Sequence, residues 1–188
     1  MQNRILSPSF WFLGFSLLFL TVFSLPGLAE TADRYHQKQN VIVKLANFDP
    51  LTWEDPVPGG HNWQSACMAF MMADHMLGEA IGNSHYKNEV ILFLNLQAVE
   101  LADTDTAIDL SGFICGQHSL QESWDMLLHK GVDIVVCPGC AVIGGITPET
   151  LREGARIAGG AQEVTEIFLR ADKLIDFRHG CYPHIFLP

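Results

Sequence analysis

Short apolar runs alternate with segments of helical period along the chain from residue 41 onward. The runs are rich in β-branched residues, which is typical of buried strands. Because strands that alternate with helices form βαβ units, this order predicts an α/β fold with three layers. We expect a mostly parallel sheet of about five strands with helices on both faces. The predicted strands are residues 41–46, 89–96, 132–136, 155–158 and 173–177.

Residues with a helical period of 3.6 separate the predicted strands. In residues 64–80, alanines and larger apolar residues fall on one face, which would let the helix lie close to the sheet. Ser119 and Glu122 form a capping-box pattern at the start of a second helix. Thr147 and Pro148 suit the start of a third. The predicted helices are residues 64–80, 119–130, 147–152 and 164–171, and residues 47–62 are predicted as a long loop.

The first 29 residues have the features of a secretory signal peptide. Arg4 precedes an apolar run at residues 10–25, and small residues stand before an expected cleavage point at Glu30. The run is shorter than the roughly 20 residues that a bilayer span needs. Export to the periplasm after cleavage is therefore predicted. The alternative is an uncleaved signal anchor that tethers the protein to the membrane.

The chain after the predicted signal divides into three parts: a polar leader at 30–40, one domain at 41–178, and a tail at 179–188 that contains Cys181. The formal net charge is −10. That acidity argues against nucleic acid and anionic membrane lipid as partners, because phosphates are bound mainly through Lys and Arg. All five cysteines follow the predicted signal, and disulfides form in an oxidising compartment.

Two cysteines in a CxxC arrangement, Cys137 and Cys140, stand directly after the third predicted strand. Ligands of parallel sheets bind beyond the carboxyl ends of the strands. A zinc site would need two further ligands at suitable spacing, and a c-type haem would need a histidine where Ala141 stands. Three interpretations stay open: a reactive thiolate at Cys137 with Cys140 as its neighbour, a dithiol redox pair, and a structural disulfide or two inert thiols.

The sequence from Val132 onward runs strand, cysteine, small residues, glycine and short helix, and continues as LREGARIAGGAQEVTEIFLRADKLIDF. Together with the earlier EVILFLNLQAVELA, it resembles the DsrE/DsrF-like (YchN-like) family over about residues 41–177. The resemblance implies a compact α/β domain with flavodoxin-like strand order and a homo-oligomer, either trimer or hexamer. In sulfur-relay members it implies a persulfide on the cysteine that Cys137 matches, and a sulfur-donor or thiol partner protein.

These observations predict an exported, sulfurtransferase-like protein that handles sulfur at Cys137 without a cofactor. The thiolate would attack a sulfane-sulfur donor and carry a persulfide, and Cys140 would resolve that persulfide as a disulfide. A dithiol redox protein that uses Cys137 and Cys140 is the nearest alternative.

A second candidate site lies on the predicted helix of residues 64–80. Met68, Met71 and His75 fall on the face opposite the alanines, and Cys67 lies beside them. Thioether, imidazole and thiol groups are ligands of a soft metal such as Cu(I). An apolar stripe outside the core is also suited to packing against a neighbouring subunit. Copper binding and a partner interface therefore both remain open for this face.

Overall fold

The structure is a computed structural model of the chain. It describes residues 38–46, 63–78, 88–106 and 108–177, and the backbone of residues 184–186. The predicted signal peptide, most of the polar leader, the predicted loop at 47–62 and Cys181 lie outside these residues.

The described residues form eight strands, four α-helices and two 3₁₀ segments. The strands are β1 (Asn40–Leu45), β2 (Glu89–Leu94), β3 (Ile114–Cys115), β4 (His118–Ser119), β5 (Asp133–Val136), β6 (Ala155–Ile157), β7 (Lys173–Phe177) and β8 (His184–Phe186). The helices are α1 (Trp63–Gly78), α2 (Leu120–Lys130), α3 (Pro138–Gly144) and α4 (Ala161–Leu169). The 3₁₀ segments are Leu96–Ala102 and Leu110–Gly112. None of these four helices has both the length and the hydrophobicity that a membrane span requires.

The main sheet has the order β6-β5-β2-β1-β7-β8, and its first five strands are parallel. The predicted α/β class with a five-stranded parallel core is confirmed. The predicted flavodoxin-like order is wrong, because β2 lies between β1 and β5, whereas the flavodoxin order places the first strand between the second and the third. We also did not predict β8, which pairs antiparallel with β7, or the small β3–β4 hairpin.

The strand order explains which helices cover which face. The steps from β1 to β2, β5 and β6 move across the sheet in one direction, and the step from β6 to β7 returns past all of them. Right-handed crossovers that step in opposite directions place their helices on opposite faces. Accordingly, α1 and α2 pack on one face and α4 packs on the other.

The two faces differ in how closely their helices approach the sheet. On the α1 face, Ala66, Ala69 and Ala73 are fully buried, as the alanine pattern predicted, and Phe70 packs against Trp124 with ring centroids 6.0 Å apart. The α4 face has a smaller core, made of apolar residues of the sheet and α4. The α1 face therefore holds most of the hydrophobic core among the described residues.

The capping box at the start of α2 is confirmed. The Glu122 backbone amide donates to Ser119 Oγ at 3.1 Å, and the Ser119 amide donates to the Glu122 carboxylate at 2.7 Å. These hydrogen bonds hold the pKa of Glu122 below its usual range. The helix ends at Gly131, whose left-handed backbone suits glycine.

The predicted helix at residues 147–152 is absent, and a turn takes its place. The Thr147 amide donates to Thr150 Oγ1 at 3.1 Å, and the Thr150 amide donates to the Thr147 carbonyl at 3.2 Å. Threonine hydroxyls make such local hydrogen bonds with the backbone and so favour turns over a helix.

The helix lies earlier instead, as α3, and begins directly after Cys137. Its end is a Schellman motif: the Ile146 amide donates to the Ala141 carbonyl at 2.9 Å, and the Gly145 amide donates to the Val142 carbonyl at 3.3 Å. Gly145 has a φ of +71°, and both Ala141 and Ile146 are buried. Gly144 and Gly145 therefore lie at the end of this helix.

Candidate functional site

Cys137 lies where the sheet ends and α3 begins. Its backbone amide donates to the Leu94 carbonyl at 2.8 Å and so continues the β2–β5 ladder by one residue. Its half-buried side chain contacts the core on the α4 face, and its thiol is free. The cysteine is the N-cap residue of α3, but its side chain makes no capping hydrogen bond. Cys137 thus lies, with a free thiol, at the carboxyl end of an interior strand of the sheet.

Cys140 lies one turn further along α3 and packs toward the opposite core, on the α1 face. It too is a free, half-buried thiol, and its Sγ accepts a hydrogen bond from the Leu96 amide at 3.1 Å. Burial raises the pKa of Cys140, a hydrogen bond with Cys137 raises it further, and the Leu96 amide partly offsets both. Cys140 therefore favours the protonated thiol, which can donate a hydrogen bond to Cys137.

The backbone at Leu96 departs from the regular strand ladder and contacts this cysteine pair. In a continued parallel ladder the Leu96 amide would donate to the Cys137 carbonyl. That carbonyl instead accepts from Ala141 in α3, and the Leu96 amide donates to Cys140 Sγ. Leu96 has a φ of +50°, a left-handed conformation that is costly for a residue with a Cβ. This strained residue, in the segment after β2, therefore contacts the CxxC pair directly.

A buried ion pair lies on the face of the sheet that Cys137 contacts. Lys44 in β1 contacts the carboxylate of Asp176 in β7 at 3.2 Å, and the Asp176 side chain is fully buried. Lys44 pairs in register with Phe93, which pairs with Val135, two residues before Cys137. The cation is therefore two strands away from the cysteine strand, on the same face.

Comparison with known proteins identifies the chain. The profile of the DsrE/DsrF-like family matches residues 58–177, which is more than half of the sequence. The chain belongs to the DsrE/DsrF-like family. The crystal structure of the YchN protein from E. coli aligns with a TM-score of 0.49 and 20% sequence identity, covering 75% of this chain and 100% of that chain. A search of curated proteins gave no match.

The predicted soft-metal site on α1 needs correction at Cys67. Cys67 forms a disulfide with Cys115 in β3, with Cα atoms 5.3 Å apart, so it has no thiolate to offer a metal. Met71 and His75 are exposed and Met68 is half-buried against the core. Among the described residues, no group of three or more His, Cys, Asp and Glu side chains could hold a metal. A site on Met68, Met71 and His75 alone stays a prediction.

The other end of the sheet has a cavity of about 680 Å³ at the amino ends of the strands. Its charged side chains pair with one another: Arg156 binds the carboxylates of Asp133 and Glu163, and Lys38 binds Glu89. The hydrogen bond with Asp133 is the main cause that raises the pKa of Arg156. Because these cations already have carboxylate partners, the cavity is a weaker candidate site than the CxxC pair.

Sequence reasoning missed three elements of the site surroundings: the segment from Asn95 to Leu96, the Lys44–Asp176 pair and the Cys67–Cys115 disulfide. Lys44 in VIVKLA and Asp176 in KLIDF are charged residues inside apolar strands, which is a usable signal for a buried pair. The conformation of Leu96 and the disulfide partner of Cys67 depend on contacts between distant segments, so no local pattern indicates them.

Proposed function

We propose that this DsrE/DsrF-like protein handles sulfur at Cys137, as a carrier of sulfane sulfur. Three features of Cys137 support the proposal: its place at the carboxyl end of an interior parallel strand, its free thiol and its half-buried side chain. Ligands of parallel sheets bind at this edge. The observation that carries the proposal is the free thiol of Cys137 at this end of the sheet, with a second free thiol, Cys140, one turn further along α3.

The loading step transfers one neutral sulfur atom. The Cys137 thiolate attacks the outer sulfur of a persulfide or polysulfide donor, R–S–SH. A bond forms between Cys137 Sγ and that sulfur, the donor's S–S bond breaks, and its thiolate leaves and is protonated. Cys137 then carries a persulfide, and an acceptor thiolate can take its outer sulfur by the same exchange in reverse.

Cys140 provides a second reaction that removes the persulfide from Cys137. Its sulfur attacks Cys137 Sγ, forms the Cys137–Cys140 disulfide and expels the outer sulfur as hydrosulfide. The electrons balance within the step, because the sulfane sulfur is reduced while the two cysteines are oxidised. The raised pKa of Cys140 slows this step, because only its thiolate attacks. That delay gives an acceptor time to take the sulfur first.

We propose that the protein works outside the cytoplasm, as the signal-like N-terminus predicts. The Cys67–Cys115 disulfide supports this location, because structural disulfides form and persist mainly in oxidising compartments. The signal peptide itself, at residues 1–29, lies outside the described residues.

We also propose a protein partner or a second copy of this chain beside the CxxC pair. Val142 and Ile143 on α3 are 81% and 89% exposed, and Leu96 is 58% exposed. Large apolar side chains exposed together often mark a surface that another protein covers. This supports the predicted oligomer or sulfur-donor partner without favouring one of them.

The experiment is intact-mass analysis of the reduced CxxC protein after anaerobic exposure to polysulfide. We expect one added sulfur on Cys140→Ser, which cannot resolve the persulfide, and none on Cys137→Ser. Wild type should gain the sulfur and then lose it with release of hydrosulfide. Cys181→Ser is the matched control for a cysteine outside the pair. An equal adduct on Cys137→Ser and Cys140→Ser would overturn the proposal.

A dithiol redox role is the second candidate, and the presence of two free thiols within one turn of α3 favours it. In that case Cys137 attacks a partner disulfide, and Cys140 displaces the partner as a dithiol. The same experiment separates the two roles. A dithiol protein would exchange readily with a small disulfide in wild type, and Cys140→Ser would stop at the mixed disulfide without holding added sulfur from polysulfide.

A further inference from the structure

Asn95 has an unusual side chain for its place in the fold. It is the N-cap residue of the Leu96–Ala102 segment, where asparagine normally caps with its side chain, but it makes no such hydrogen bond. Its Oδ1 is buried and has no hydrogen-bond partner among the described residues. A buried amide oxygen without a partner costs folding free energy, so such atoms in native proteins call for an explanation.

The backbone of Asn95 does not need this side chain. Its amide donates to the Leu45 carbonyl at 3.0 Å, and its carbonyl accepts from the Ala98 amide at 3.1 Å. These two hydrogen bonds fix Asn95 between β1 and the 3₁₀ segment. The carboxamide is therefore free to serve a purpose other than local structure.

The sheet places Asn95 beside Cys137. The hydrogen bond from the Cys137 amide to the Leu94 carbonyl sets Asn95 and Cys137 at the same level of neighbouring strands, about 5 Å apart. Asn95 has extended φ and ψ values of −139° and 171°. The alternation of side chains between the two faces of the sheet therefore continues through this residue. Phe93, two residues earlier, packs on the α4 face, and so does Cys137. The side chains of Asn95 and Cys137 therefore lie on the same face of the sheet, the α4 face.

We infer that the Asn95 carboxamide binds the sulfur group that Cys137 carries, an inference that rests on the proposed function. A carboxamide has an acceptor oxygen and a donor nitrogen. The oxygen accepts from a protonated thiol or persulfide, and rotation of the amide presents the nitrogen to a thiolate or persulfide anion. The ligand class is a sulfane sulfur bonded to Cys137 Sγ. Asn95 then holds this group while donor and acceptor exchange.

The test compares Asn95→Leu with Gln97→Leu, both made in the Cys140→Ser protein so that the persulfide accumulates. Leucine has nearly the shape of asparagine but no polar group, and Gln97 is exposed, so its substitution is the matched control. Polysulfide loading of Cys137 is followed by mass over time, and thermal unfolding is measured on the same samples.

We expect Asn95→Leu to load sulfur about tenfold more slowly, or to reach a correspondingly lower equilibrium yield, as expected for one lost hydrogen bond. Its melting temperature should stay equal or rise, because the substitution removes an unpaired buried polar atom. Gln97→Leu should leave the loading rate unchanged. A purely structural role for Asn95 would not reduce sulfur loading while the melting temperature stays equal or rises.

Two results would overturn the inference while leaving the proposed function intact. In the first, Asn95→Leu loads sulfur at the parent rate. In the second, its loading rate and its melting temperature fall together. If the Cys140→Ser parent with Asn95 in place takes up no sulfur on Cys137, the proposed function fails and the inference fails with it.

Discussion

The protein holds two cysteine pairs that differ in almost every physical respect. Cys67 and Cys115 are 48 residues apart in the chain, both are buried, and they form a disulfide between α1 and β3. Cys137 and Cys140 are separated by two residues at the start of α3, both are half-buried, and both thiols are free. The same type of residue, cysteine, therefore forms a crosslink in the first pair and a candidate reactive group in the second.

The difference follows from chain separation and surroundings. A crosslink between distant residues removes much freedom from the unfolded chain, whereas one within a single helical turn removes little. Burial within the core protects the first pair from reagents. The second pair lies at the carboxyl ends of the strands and is only half-buried, so a sulfur compound can approach it. We therefore expect the first pair to control stability and the second pair to control reactivity.

Removal of the disulfide should have the largest effect. For a loop closed by residues 48 apart, the loss of the crosslink in Cys67→Ala/Cys115→Ala should lower the free energy of unfolding by about 4 kcal/mol. Urea denaturation of the purified protein measures this difference. Cys137→Ala/Cys140→Ala is the matched control and should change the free energy by about 1 kcal/mol or less. Equal losses in the two double variants would remove the distinction between the pairs.

Alkylation should separate the two free thiols from each other as a function of pH. Because burial and the hydrogen bond with Cys137 raise the pKa of Cys140, iodoacetamide should modify Cys140 at a higher midpoint pH than an exposed cysteine. In Cys137→Ala that midpoint should fall, since the hydrogen bond is gone, but remain above the ordinary value, since burial remains. Peptide mapping by mass spectrometry follows each cysteine. A midpoint that rises in Cys137→Ala contradicts the proposed hydrogen bond.

The smallest effect concerns the end of the helix that carries Cys140. Gly145 has a φ of +71° and an added Cβ would meet nothing within 4 Å, so Gly145→Ala carries only the conformational cost, about 1 kcal/mol. We expect the melting temperature of Gly145→Ala to fall by the amount that this cost implies, while the Cys67–Cys115 disulfide stays formed. Gly139→Ala, at a helical position without positive φ, is the control and should stabilise slightly. A larger loss in the control would mean that α3 is not the helix described.

Much of the fold could be predicted because the signals are local. Strand β7 and the start of α2 follow from residues that are neighbours in the chain: an apolar run for the first and the Ser119–Glu122 capping box for the second. The CxxC pair was also placed correctly at a strand end. Where a local signal had two possible outcomes, prediction failed. Thr147 and Pro148 suit a helix start as well as a turn, and the hydrogen bond from the Ile146 amide to the Ala141 carbonyl closes the helix before them.

The alternation of strands and helices and the position of Cys137 at the end of a strand follow from the amino-acid sequence, since periodicity and capping act over a few residues. The order of the strands, the partner of Cys67 and the approach of Asn95 and Leu96 to the CxxC pair depend on how the chain packs in three dimensions. These features join segments that lie far apart along the chain. Their free energy comes from burial and hydrogen bonding between whole elements, and neither is encoded in any single stretch of residues.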